Sequence, residues 1–160
     1  MQCIKPEQAH LLEVMEWVRS PKVFDIWAGP GVRFPFTAET FADDLKLNEL
    51  HSRVLIDNGQ VVAFGQTYQR LGYTHLGRLV VKPNLQGKGV GTELIKQLMA
   101  IGDQQFDSKG YSLFVLKANT RAKNLYLRLG FKVQEYPEIM PLADCLYMVK
   151  DMVNDHEPAA

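Results

Sequence analysis

The chain has 160 residues, enough for one domain with a substantial core, and 18 Lys plus Arg balance 18 Asp plus Glu to a formal net charge of zero. That balance excludes the broad positive field that holds nucleic acid or an anionic membrane surface, so neither is an expected partner. No apolar run approaches the ~18 residues of a membrane span and no secretory core opens the chain, so a cytoplasmic protein is expected.

Cys3 and Cys145 make neither a disulfide framework nor a metal-ligand spacing, so reduced thiols and no metal are expected. A single domain is expected over residues 1–153, followed by a polar tail over 154–160. Met1 to Lys5 reads as a short strand. Pro6-Glu7 then opens a helix with Leu11, Val14, Met15 and Val18 at core spacing, ending near Ser20-Pro21. From Lys22 to Phe36 lie Trp27-Ala-Gly-Pro-Gly31 and Arg33-Phe-Pro-Phe36, a density of glycine and proline that predicts an irregular segment. Thr37 is the expected N-cap of a second helix, over Phe41 and Leu45.

Asn58-Gly59 between the apolar runs Arg53–Asp57 and Gln60–Phe64 is a type I′ hairpin signal. The second strand should run on to Gln69, turn at Leu71-Gly72 and return over Tyr73 to Val81. The chain then passes Pro83-Asn84 and sets Gly87, Gly89 and Gly91 at alternate positions. Behind them Leu94, Ile95, Leu98 and Ile101 share one helix face, with the helix running to about Ser108. A strand, a glycine loop and a helix start together form a cradle for a phosphate or pyrophosphate. The P-loop pattern fails because Gly89 follows Lys88, and the dinucleotide pattern fails at Thr92. Tyr111 to Lys117 is a strand apolar on both faces, a helix follows from Asn119, and strands over Phe131–Tyr136 and Asp144–Val149 close the chain.

Gln86-Gly87-Lys88-Gly89-Val90-Gly91 resembles the Gln/Arg-x-x-Gly-x-Gly/Ala signature of the GNAT superfamily of acyl-CoA-dependent N-acetyltransferases. Asn119-x-x-Ala122-x-x-Leu125-Tyr126, followed by Leu129-Gly130-Phe131, resembles the second signature of the same superfamily. The resemblance covers Leu76 to Phe131. It implies an α/β (α+β) GNAT fold, with a mixed, mostly antiparallel sheet of about seven strands and about four helices in the order βααβββαβαββ. It also implies acetyl-CoA as acyl donor and an amine as acceptor.

The resemblance assigns the pyrophosphate to the loop amides of Gln86, Gly87, Lys88, Gly89, Val90 and Gly91, with the Lys88 charge beside it. Backbone groups of Leu79, Val80 and Val81 would meet the pantetheine arm in a gap between the fourth and fifth strands. Asn119 would bond that arm or its neighbouring backbone, while serving equally as a helix N-cap. Asn119 and Tyr126 stand two helical turns apart and point the same way. The resemblance sets Tyr126 beside the thiol, where a phenol of pKa ~10 can protonate a departing thiolate.

The base is sought at His75, which by simple alternation shares a face with Leu79 and Val81; a glutamate holds the comparable strand position in histone-type members. His51, Glu39, Asp43 and Tyr73 are weaker candidates. Enzymes that acetylate the ribosomal-protein alanine terminus carry a glutamate where this chain has Phe114, so substrate or proton route should differ from theirs. Trp27, Arg33 and Phe34 are the expected acceptor-binding residues, Arg33 pairing with a carboxylate of an amino-acid or peptide-like acceptor. A small-molecule or amino-acid-like amine is the first expectation. A protein N-terminus or lysine is the second, and a non-catalytic acyl-CoA-binding module the third, which retention of Tyr126 argues against. A homodimer is left open.

Overall fold

The computed structural model describes residues 1–152. Val153 and the expected polar tail at 154–160 lie outside the described residues. Seven strands form one sheet among them: β1 (Gln2–Ile4), β2 (His51–Asp57), β3 (Gln60–Arg70), β4 (Tyr73–Val81), β5 (Gly110–Leu116), β6 (Lys132–Gln134) and β7 (Cys145–Asp151). Their order across the sheet is β1-β2-β3-β4-β5-β7-β6. Every neighbouring pair is antiparallel except β4 and β5, which run parallel.

Five α-helices accompany the sheet among the described residues: α1 (Gln8–Trp17), α2 (Pro21–Ala28), α3 (Ala38–Asp44), α4 (Val90–Gln105) and α5 (Thr120–Arg128). The order is thus βαααβββαβαββ, with one helix more than expected. The addition is α2, which falls where glycine and proline predict an irregular segment. Pro21 occupies the first turn, where its missing N–H costs nothing, and Gly29 at φ 79° ends the helix. The glycine–proline cluster therefore lies wholly after the helix, and Phe24 and Ala28 are buried from within it.

The other local signals act as read. The Thr37 hydroxyl accepts the Thr40 backbone N–H at 3.1 Å and caps α3. Asn58 and Gly59 take φ of 50° and 77°, the left-handed pair of a type I′ turn, and Leu71 and Gly72 do the same at the next hairpin.

Two cores lie on the two faces of the sheet. On one face Leu94, Ile95 and Leu98 of α4 and Tyr126 of α5 pack with Leu76, Leu113, Val115 and Met148. Full burial of each such leucine or isoleucine contributes about 1.5–3 kcal/mol. Gly65 lets α4 come close, since a Cβ there would stand 2.8 Å from a Leu98 methyl and 2.9 Å from a Leu79 methyl. On the other face Val14 and Met15 of α1, Val18 at its C-cap, Phe24 and Ala28 of α2, and Phe41 pack on Val54 and Phe64.

β4 carries a bulge. Val80 pairs with Phe64 and Gly77 with Gln66, so β4 spends three steps where β3 spends two, and Arg78 in between takes φ 50°. The extra residue breaks the simple alternation. Leu76, Leu79 and Val81 all pack against the α4–α5 core, whereas Val80 packs against the α1–α3 core. His75 consequently does not share a face with Leu79 and Val81; its neighbours are Tyr68 and Phe114, with ring centroids 5.3 and 4.9 Å away.

Candidate active site

β4 and β5 pair only over Thr74↔Tyr111, His75↔Ser112 and Leu76↔Leu113. Past Leu76 and Leu113 the two strands have no ladder between them, and the sheet opens at its centre. A cleft of about 550 Å³ enters this opening. It is lined from one face by Leu76, Leu79, Val115 and Tyr126, and from the other by Tyr68, Arg70, His75, Val80 and Phe114. The gap is therefore a passage from one side of the sheet to the other.

The cleft brings together seven of the expected residues: Trp27, His75, Leu79, Val80, Gln86, Asn119 and Tyr126. Val81 continues β4 beyond its lining. Gly87, Lys88, Gly89, Val90 and Gly91 then carry the chain from Gln86 into α4. Gly87 and Gly89 have φ of 80° and 85°, and Gly89 is the residue that caps α4. No atom lies within 4 Å of the position a Cβ would take at Gly89, so the loop is open to a close approach there. Lys88 is exposed. The guanidinium of Arg121, in the first turn of α5, lies against Gly87; sequence spacing alone gave no sign of it.

Tyr126 is 9 % exposed, and burial raises its phenol to about 12, so the hydroxyl keeps its proton at neutral pH. Its ring meets Phe131 edge-on at 6.2 Å, which fixes it on the α5 side of the cleft. The Asn119 side chain accepts the Ala122 backbone N–H at 3.2 Å, capping α5 while lining the cleft.

His75 is 1 % exposed, with Nδ1 2.8 Å from the Ser112 hydroxyl. Burial first, and the Arg70 charge second, lower its pKa to about 3. It is a neutral imidazole near pH 7 and a weak acceptor for an ammonium proton. Of the weaker candidates, Tyr73 donates to Asp151 at 3.0 Å, and His51 packs on Phe106 at 5.5 Å; neither lines the cleft, nor do Glu39 and Asp43.

The acceptor-side residues divide. Trp27 lines the cleft from α2 and keeps its indole N–H buried without a partner among the described residues. Arg33 and Phe34 lie elsewhere. Arg33 is engaged by Asp44 through Nε and Nη2, both at 3.0 Å, and through its backbone N–H at 2.9 Å. The guanidinium holds the Asp44 carboxyl below the usual carboxylate range. Phe34 packs on Phe24 and Phe36 over a separate depression. Sequence reading missed two arginines that do line the cleft. Arg70 ends β3, and Arg78 sits at the bulge, donating to the Ala28 carbonyl at 3.0 Å and to Gln66 Oε1 at 2.9 Å. A cation inside the apolar run Leu76–Val81 was the available signal for Arg78.

Among the described residues no helix is long and apolar enough to cross a membrane. The family model for the acetyltransferase (GNAT) family matches residues 11–131. A curated relative from Schizosaccharomyces pombe, UPF0039 protein C11D3.02c, is 32% identical over 91 residues, which are 56% of this chain and 59% of that protein's length. The ribosomal-protein-S18-alanine N-acetyltransferase from Escherichia coli shares the fold, with a TM-score of 0.66 at 23% identity over 98% of both chains. So does the PaiA N-acetyltransferase from Thermoplasma acidophilum, solved in complex with coenzyme A, at 0.67 and 16% over 94% of this chain and 98% of that one. With both signatures standing on the central gap and the family match spanning α1 to Phe131, the chain belongs to the GNAT acetyltransferase family.

Proposed function

We propose that the protein transfers the acetyl group of acetyl-CoA to the primary amine of a small-molecule or amino-acid-like acceptor by direct attack while both are bound. The observation that carries this reading is the end of the β4–β5 ladder at Leu76 and Leu113, with Tyr126 and Asn119 lining the gap it leaves. That gap, the open space over Gly89 and the unpaired cations Lys88 and Arg121 fit an extended donor ending in phosphates. These cations have no ion-pair partner among the described residues.

In this reading Leu79, Val80 and Val81 offer backbone groups to the pantetheine amides, and Gln86 to Gly91 offer N–H groups and a helix start to the pyrophosphate. Acetyl-CoA supplies the acyl group as an activated thioester. Tyr126 Oη holds a proton at neutral pH and gives it to the sulfur as the C–S bond breaks and the N–C bond forms. The amine proton leaves through water, because the buried His75 imidazole, paired with Ser112, is too weakly basic to collect it. His75 then serves to hold the wall between Tyr68 and Phe114.

The free thiols of Cys3 and Cys145 suit a reducing cytoplasm. Incubation with acetyl-CoA and a panel of amines, amino acids and peptides, followed by thiol release and product mass, tests the reading. An acceptor gaining one acetyl group per thiol released is expected; tight acetyl-CoA binding without transfer to any amine contradicts it.

A further inference from the structure

Arg70 is held in place without a charged partner. Its Nε donates to the Tyr136 hydroxyl at 2.9 Å, and its guanidinium lies 5.2 Å over the Phe114 ring and 5.7 Å from the Tyr136 ring. Phe114 and Tyr136 are in turn wedged against Tyr147, at 5.7 and 4.9 Å. The fork is therefore oriented by aromatic neighbours, and most of its donors are left over.

No carboxylate pairs with it among the described residues, whose ion pairs are Arg19–Glu16, Arg33–Asp44 and Lys82–Glu13. The second cation of the cleft, Arg78, has only the neutral partners Ala28 and Gln66. None of the residues lining the cleft is Asp or Glu. An acceptor carrying only positive charge would meet two guanidiniums and no counter-charge there. A partly desolvated guanidinium with free donors instead suits a planar carboxylate, which it can hold through two parallel hydrogen bonds.

We propose that Arg70 binds a carboxylate of the acceptor, so that the acceptor class is an amine that also carries a free carboxylate, as an amino acid or a short peptide does. Arg70, rather than Arg33, then fills the anchoring role that charge alone suggested for Arg33. This inference rests on the transferase reading above and narrows its substrate.

The test compares matched acceptors as free acid and as carboxamide: glycine with glycinamide, lysine with lysinamide, and glycylglycine with glycylglycinamide, each with acetyl-CoA. Because amidation lowers the pKa of the amine itself, the readout is the change in the acid-to-amide ratio of kcat/KM between wild type and Arg70→Gln. That ratio should fall by about tenfold to hundredfold, the size of a charge-assisted hydrogen bond. Arg70→Lys, which keeps the charge and loses the fork, should retain part of the ratio and covers the case in which Arg70→Gln folds poorly. An unchanged ratio in a folded variant, or equal losses on acids and amides, overturns the inference alone. Faster transfer to O-phosphoethanolamine than to every carboxylate overturns it as well. Absence of transfer from wild type to every member of the panel, with acetyl-CoA bound, overturns the transferase reading and this inference with it.

Discussion

The two sides of the central gap are built differently. The proposed donor side is drawn from one continuous stretch, from Leu76 through the glycine loop and α4, β5 and α5 to Phe131. Its parts are backbone groups, a helix start and one phenol. The proposed acceptor side is assembled from Trp27 on α2, Tyr68 and Arg70 on β3, Phe114 on β5, and Pro141 and Leu142 before β7. Its parts are side chains that meet only when the sheet has formed. A site made of backbone geometry accepts one ligand in one way, whereas a site made of scattered side chains can change specificity without disturbing the donor. In the proposed reading, transfer chemistry and acceptor choice are therefore separable.

The largest effect should come from the residue that acts where the two sides meet. Tyr126→Phe keeps the packing on Phe131 and deletes the proposed proton donor. Turnover should drop by about 10²–10⁴ while acetyl-CoA affinity stays near wild type. Steady-state kinetics beside calorimetric titration separates the two, and undiminished turnover with a good amine would reduce Tyr126 to packing.

A smaller effect, confined to the donor side, is expected at Gly89. Its φ of 85° and the open space at its Cβ position mean that Gly89→Val both strains the turn and fills the approach to the loop. Acetyl-CoA affinity should weaken by about tenfold or more because the branched side chain occupies the approach, while the strained backbone separately lowers stability by ~1–2 kcal/mol. Wild-type affinity in a folded Gly89→Val protein would remove the loop from the donor site.

The same contrast decides what the sequence could reveal. Gly89, the Asn119 cap and the two-turn spacing to Tyr126 are local features, and local features survive in a linear reading. The type I′ turn at Asn58-Gly59 and the Thr37 cap are legible for the same reason. α2 is hidden when glycine and proline are weighed across Lys22–Phe36 as a block. Their positions matter more: Pro21 begins the helix and Gly29 ends it. Alternation alone cannot show where a strand gains a residue, so neither the bulge at Arg78 nor the face of His75 is legible in it. Arg33 and Arg70 look alike in sequence. Only long-range contacts distinguish an arginine engaged by Asp44 from one held open by Phe114 and Tyr136.

The smallest effect expected is at His75, and it concerns stability rather than transfer. Its folded pKa of about 3 lies below the ordinary 6.5, so between those values the unfolded chain binds a proton that the native chain refuses. The stabilising contribution is complete above the unfolded pKa and is lost as pH falls toward the folded one. His75→Gln should therefore lose less melting temperature than wild type between about pH 7 and about pH 4. The acidic limb of the wild-type pH–rate profile should persist in the variant, because it belongs to the amine. A limb that disappears in a stably folded variant would return His75 to the proton route.

In the proposed function acetyl-CoA lies in the gap between β4 and β5 against the glycine loop, held by the backbone. Residue-level amide hydrogen exchange with and without acetyl-CoA measures this directly. Slower exchange should concentrate on the amides of Leu79 to Val81 that face the gap and on Gln86 to Gly91, with Arg33 and Phe34 unaffected. Unchanged exchange across β4 and the loop at saturating acetyl-CoA, or protection centred on the Arg33–Phe34 segment, would place the donor elsewhere.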